Sequence, residues 1–172
     1  PDRYSYVWNA PGLTVTSHPA EGLSTVSLVA DIAGWGANPP RRPNIVHREG
    51  IDLAPLDVTK PADRDWLEAL VWPEQTERLD LVRASAEIVA QSPPRLTAGD
   101  AVAEIRAAVA RARKAAPTAT VVVSSPAVLV YLDPAEREKF ATYCARAKVR
   151  WVSLDGRRVI SRIGDAADER GI

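Results

Sequence analysis

Three short stretches of this 172-residue chain hold the side chains whose type and spacing bear on chemistry. Gly50-Ile51-Asp52-Leu53-Ala54-Pro55-Leu56-Asp57 sets two carboxylates on a proline-stiffened turn. A carboxylate just past a strand of a nucleotide-binding α/β unit can accept from both ribose hydroxyls. Asp52 equally suits an Asx turn, and Asp57 a turn or a helix start. Gly99-Asp100-Ala101 joins a residue without a Cβ, beside which a ligand can approach the backbone, to a second carboxylate. Asp100 can accept from an adenine amino group, or it can cap the helix that follows, a role worth about 1 kcal/mol. Ser124-Ser125-Pro126 brings hydroxyls to the end of a valine-rich run.

Several kinds of catalysis lack their residues. Ser124 and Ser125 have none of the flanking glycines of a nucleophile elbow, and the two histidines, His18 and His47, stand in no recognisable base motif, which argues against a Ser-His-Asp hydrolase. No H-E-x-x-H, C-x-x-C or D-x-D-x-D-G spacing occurs, so no metal is expected. The phosphate-cradling G-x-x-x-x-G-K-[ST] loop is missing too, and Gly34-Trp35-Gly36 reads as a turn.

Charge adds a second set of limits. Lys and Arg number 22, balanced by 22 Asp and Glu, so no overall field draws the chain to nucleic acid or to an anionic membrane. The only cysteine, Cys144, sits among Phe140 and Tyr143 and reads as core. No apolar run approaches bilayer length and no leader pattern opens the chain, so the expected compartment is the cytoplasm. A start at Pro1, with no methionine anywhere, suggests a piece of a longer gene product.

The elements that must position these residues follow from periodicity. We expect one domain over residues 1–172, with a β-rich segment at 1–43 and an alternating strand and helix core at 44–172. The break falls at Asn38-Pro39-Pro40-Arg41-Arg42-Pro43, where prolines disfavour helix and central strand alike. Residues 14–17 and 24–29 read as strands before it. Beyond it, residues 45–51 form the first strand, and Pro61 opens a helix with Trp66, Leu67, Leu70 and Val71 on its apolar side. A helix at 74–91 carries Leu79, Val82, Ala86 and Val89. A strand at 95–98 leads through Gly99-Asp100 into a helix with Val102, Ile105, Val109 and Ala112 inward and Glu104, Arg106, Arg111 and Arg113 on a solvated face. The β-branched run 120–123 reads as a strand buried on both faces. Asp133-Pro134-Ala135-Glu136 then gives a capping box for a helix bearing Phe140, Tyr143, Cys144 and Ala147, with a strand at 149–154 after it. The order implies right-handed crossovers and an α/β class: an open, Rossmann-like parallel sheet, with strands 120–123 and 149–154 adjacent and parallel. Ligands of such sheets lie at the carboxyl ends of the strands, which would gather Asp52, Asp100 and Ser124 in one cleft.

The strings Asp2-Arg3-Tyr4, Gly50 through Asp57, Ala69-Leu70-Val71-Trp72-Pro73-Glu74, Gly99-Asp100-Ala101 and Ala127-Val128-Leu129-Val130-Tyr131-Leu132 resemble an uncharacterised bacterial family known as a domain of unknown function. That family in turn is similar to S-adenosylmethionine-dependent methyltransferases, through a glycine-rich G-x-S-x-G-L-N loop just before the Asp-Arg-Tyr. The resemblance implies S-adenosylmethionine as cofactor, Asp52 as the ribose acid, Gly99 and Asp100 as the adenine turn, and Ser124 and Ser125 along the methyl-transfer cleft. This chain lacks the loop, and it has serines where the family often has a histidine. Weak cofactor binding by the chain is therefore expected, together with an unpaired strand edge that invites homo-oligomers. The competing expectation is a non-catalytic binding or assembly module. Its motive is Trp8, Trp35, Trp66, Trp72 and Trp151 against a single Phe, although buried core is the plain account of those tryptophans.

Overall fold

The structure, a computed structural model, describes residues 3–33, 42–156 and 159–160. Asp2, the Gly34-Trp35-Gly36 turn and residues 38–41 of the proline-rich break lie outside them. Chain contacts divide the fold into two compact units, Pro1–Arg48 with Pro55–Arg95, and Glu49–Ala54 with Leu96–Ile172.

The first unit holds a three-stranded sheet of β1 (Ser5–Ala10), β2 (Leu13–Ser17) and β3 (Ser27–Asp31), in the order β2-β1-β3. β1 and β2 form an antiparallel hairpin with Ala10 opposite Leu13, closed by Pro11 and by Gly12 at φ 75°, a value that glycine adopts without cost. β3 runs parallel to β1. Tyr6 and Trp8 alternate onto one face and stack with centroids 5.5 Å apart. Two helices complete the unit, α1 (Pro61–Ala69) and α2 (Thr76–Gln91). Pro61 starts α1 as expected, but only part of the expected stripe turns inward: Leu67 and Val71 are half-buried, whereas Trp66 and Leu70 are 58% and 61% exposed. The Arg64 and Glu68 side of α1 meets its neighbours: Glu68 takes a two-toothed hydrogen bond from Arg83 of α2 at 2.7 and 2.9 Å, and Arg64 donates to the Val58 carbonyl. The Arg83 guanidinium holds the Glu68 carboxyl below the usual carboxylate range.

The second unit is built from β4 (Glu49–Asp52), β5 (Arg95–Ala98), α3 (Ala101–Ala115), β6 (Val122–Pro126), a 3-10 turn at Leu129–Tyr131, α4 (Pro134–Arg146) and β7 (Arg150–Leu154). β6 and β7 lie side by side in parallel, Val122 opposite Arg150 through Pro126 opposite Leu154, with α4 between them in sequence. The capping box forms as the sequence dictates: Asp133 accepts from the Glu136 amide at 2.8 Å, and Glu136 reaches back to the Asp133 amide at 3.4 Å. Ile105, Ala108 and Val109 of α3 are buried, and Ile105 and Val109 form a core with Leu129, Phe140, Ala141 and Cys144. Phe140 meets Trp151 edge to face at 5.9 Å. Arg111, expected on a solvated face, instead pairs with Glu49 at 3.2 Å, so a buried carboxylate on β4 is matched by a cation on α3.

The fold is a mixed α/β fold, but the single open Rossmann-like sheet does not form among the described residues. Their strands make sheets of three, two and two, with β4 paired to β5 and β6 to β7. Two strand pairs fuse into one sheet only when their edges approach to about 4.8 Å. Here a cavity lined by Glu49, Gly50 and Ile51 on one side and by residues 121–125 on the other lies between β4 and β6. β4 also starts four residues later than expected, since residues 42–48 take no strand conformation.

Two measurements test the core. Leu129 is 0% exposed, so Leu129→Ala should lower unfolding free energy by about 2–5 kcal/mol in denaturant titration. Burial pushes the Cys144 thiol from about 9 up to about 11. The unfolded chain loses that proton at lower pH than the folded chain, so stability falls as pH rises through this window. Cys144→Ala should remove that part of the alkaline decline. An unchanged slope would place the thiol in contact with solvent.

Candidate functional site

The residues singled out by sequence all fall in the second unit except Asp57. Asp52 is the last residue of β4 and is exposed. Its Oδ1 accepts from the Ala54 amide at 2.8 Å, an Asx turn, and its carbonyl accepts from the Gly99 amide at 2.9 Å. Asp100 caps α3, its Oδ1 accepting from the Ala103 amide at 2.8 Å. One backbone hydrogen bond therefore stitches the turn after β4 to the turn after β5, and two carboxylates stand on neighbouring strand ends. Each acid spends one oxygen on its own turn, and no described residue donates to the other oxygen. The space left by Gly99 is taken up by protein: a Cβ there would fall 2.9 Å from Cγ of Glu104.

Asp57 belongs to the first unit and makes a turn. It accepts from the amide and hydroxyl of Thr59 at 3.0 and 2.7 Å, and these bonds hold its carboxyl below the usual range. Its amide donates to Asp63 at 2.7 Å.

Ser124 and Ser125 alternate along β6. Ser124 is exposed, opposite Val152 of β7. Ser125 is 3% exposed, and its Oγ accepts from Nε1 of Trp151 at 2.9 Å and donates to the Ser153 hydroxyl at 3.4 Å. Ser153 in turn hydrogen-bonds Asp155, just past β7. Sequence reading passed over this Trp151, Ser153 and Asp155 group, although Ser153-Leu154-Asp155-Gly156 repeats the acid-after-strand pattern that singled out Asp52. Asp155 Oδ1 is buried with no hydrogen-bond partner among the described residues. Neither serine meets a histidine of its own unit, because His18 and His47 both belong to the first, where His18 Nδ1 lies 3.0 Å from Ser5 Oγ.

The cavity between β4 and β6 measures about 230 Å³, and Gly50, Ile51, Ala101, Ile105, Ser124 and Ser125 contribute to its walls. The structure thus brings both serines into one cavity with the residues that immediately precede Asp52 and follow Asp100, while the two acids are not among its walls. Pockets that enclose a drug-sized ligand run to about 300–1,000 Å³, so this one takes part of such a molecule only. Among the described residues, no three His, Cys, Asp or Glu side chains gather to hold a metal ion, and no helix is long and apolar enough to cross a membrane.

Fold and site define a mixed α/β protein whose carboxylates and hydroxyls collect at the carboxyl ends of short strands. The chain belongs to the family described as uncharacterized protein conserved in bacteria (DUF2332), whose model matches residues 1–170. No curated protein and no solved structure matches it.

The two serines make opposite predictions. Ser125→Ala strips a half-buried indole N–H of its acceptor and should cost about 1–3 kcal/mol in denaturant unfolding, with a changed Trp151 emission. Ser124→Ala should stay within about 0.5 kcal/mol of the parent. Equal costs would mean that the Trp151 contact contributes nothing.

Proposed function

We propose that the second unit is a nucleoside-cofactor module of the methyltransferase type, taking S-adenosylmethionine at the carboxyl ends of β4, β5 and β6. The hydrogen bond from the Gly99 amide to the Asp52 carbonyl carries the reading, because it joins two acid-bearing turns that local capping alone would leave independent. The free oxygen of Asp52 suits a ribose hydroxyl and that of Asp100 an adenine amino group. Ser124 and Ser125 line the adjoining cavity, where a methyl acceptor would enter. Bound there, the cofactor would supply an activated methyl group. The protein's share is to hold the adenosine end and orient the rest, so catalysis works by proximity rather than through a dedicated base.

A specific observation favours a second reading, a non-catalytic assembly module. Trp66 and Trp72 are 58% and 71% exposed, contrary to a plain core role, and with Leu70 they give the first unit an apolar surface of the kind that marks interfaces.

Because the two acids meet only the adenosine end, adenosine and S-adenosylmethionine should bind with similar, weak affinity. In a nuclear magnetic resonance titration at millimolar ligand, both should shift the amide signals of Leu53, Gly99 and Ala101. Asp52→Asn should weaken both by about tenfold or more, the loss of one charge-assisted hydrogen bond. Silence of those amides sinks the cofactor reading and leaves the assembly module.

A further inference from the structure

Parallel pairing puts the amino ends of β6 and β7 at one edge of their sheet, opposite the serines and Asp155. That edge holds an open cleft of about 730 Å³, lined by Arg113, Thr120, Val121, Lys148, Val149 and Arg150 among others. Three of its wall residues are cations, none of the described ones is a carboxylate, and the charge comes from three separate elements: the last turn of α3, the turn after α4, and the start of β7.

The plain account is that these cations complement the ends of α3 and α4, since a helix carboxyl end carries roughly half a negative charge. Two such partial charges, which fall off within a turn, offset only part of the three positive charges on these walls. Arg113 does serve α4, donating from Nη2 to the Ala147 carbonyl. That bond also fixes its guanidinium beside the cleft with other N–H donors unspent. Arg150 lies on a strand, where no helix end requires it.

Lys148 supplies an independent observation. It stands just past the end of α4 at φ 52°, the left-handed position where glycine is favoured and a side chain is strained. Keeping a lysine there at the expense of stability makes sense if its ammonium is used. No aromatic residue lines the cleft, so there is no platform on which nucleic-acid bases would stack. A compact, multiply charged oxyanion fits better, taken by a guanidinium fork, an ammonium and the Thr120 hydroxyl.

We propose that this cleft is a binding site for phosphate or pyrophosphate groups, separate from the strand-end site. The test titrates sodium pyrophosphate into the chain at low salt and follows amide signals and heat. Thr120, Lys148 and Arg150 should shift, and Lys148→Gly and Arg150→Gln should each weaken binding by about tenfold or more. Lys148→Gly should melt no lower than the parent, since glycine relieves the left-handed strain, so lost binding there cannot be lost folding. Adenosine triphosphate binding more tightly than pyrophosphate would identify a nucleotide as the source of the phosphates, and equal or weaker binding a free oxyanion. No response to millimolar pyrophosphate, or variants that bind as the parent does, overturns the proposal.

Discussion

A parallel strand pair cannot be closed by a tight turn, and the rest of the second unit depends on that constraint. β6 and β7 run the same way, so the chain must leave one end of the sheet and return to the other, a connection of a dozen or more residues. Here the connection consists of the 3-10 turn and α4. Its apolar side, with Phe140, Ala141 and Cys144, is what covers Ile105 and Val109 of α3. The same crossover sends hydroxyls and Asp155 to one end of the strands and Lys148 and Arg150 to the other. Two chemically different edges, one polar and neutral to acidic, one basic, are thus a consequence of a single pairing direction.

What could be read in advance was what is decided locally. The Asp133 to Glu136 box needs only four consecutive residues, and α4 begins where it predicts. β5 occupies the expected 95–98, and β6 and β7 pair side by side in parallel as expected, although β6 spans Val122–Pro126 rather than 120–123 and, with Val122 58% exposed, is not buried on both faces. β1 went unpredicted although Tyr6 and Trp8 alternate and Pro11-Gly12 marks a hairpin turn to β2; only its parallel partner twenty-two residues on, Ser27 opposite Ser5, has no local pattern to announce it. The open sheet failed for a related reason: strand order depends on which edges approach, and here a cavity separates β4 from β6.

The candidate site divides in the same way. Asp52 and Asp100 can cap or bind, and the choice for one oxygen of each is made by an amide two or three residues along the chain. The bond between their turns joins positions 52 and 99, and no spacing rule anticipates it. Ser125 was legible as a strand-end hydroxyl, but its commitment to Trp151 depends on the β6 and β7 register. On α1 the apolar stripe was legible but its burial was not: Trp66 and Leu70 stand exposed, while Glu68 pairs with Arg83 of α2, a partner that lies fifteen residues away.

Arg137 on α4 spends its guanidinium on backbone oxygens outside its own helix. Nε donates to the carbonyls of Leu129 and Leu132 at 2.9 Å, Nη2 to Val130 at 3.2 Å and Nη1 to Val159 at 3.4 Å. The irregular turn that carries buried Leu129 has its own backbone bonds, from the Tyr131 amide to the Val128 carbonyl and from the Leu132 amide to the Leu129 carbonyl, both at 3.1 Å, and adds those of a side chain that is in place only once α4 exists. Turn and helix are thereby coupled, since fraying the first turn of α4 withdraws the guanidinium from the carbonyls around Leu129.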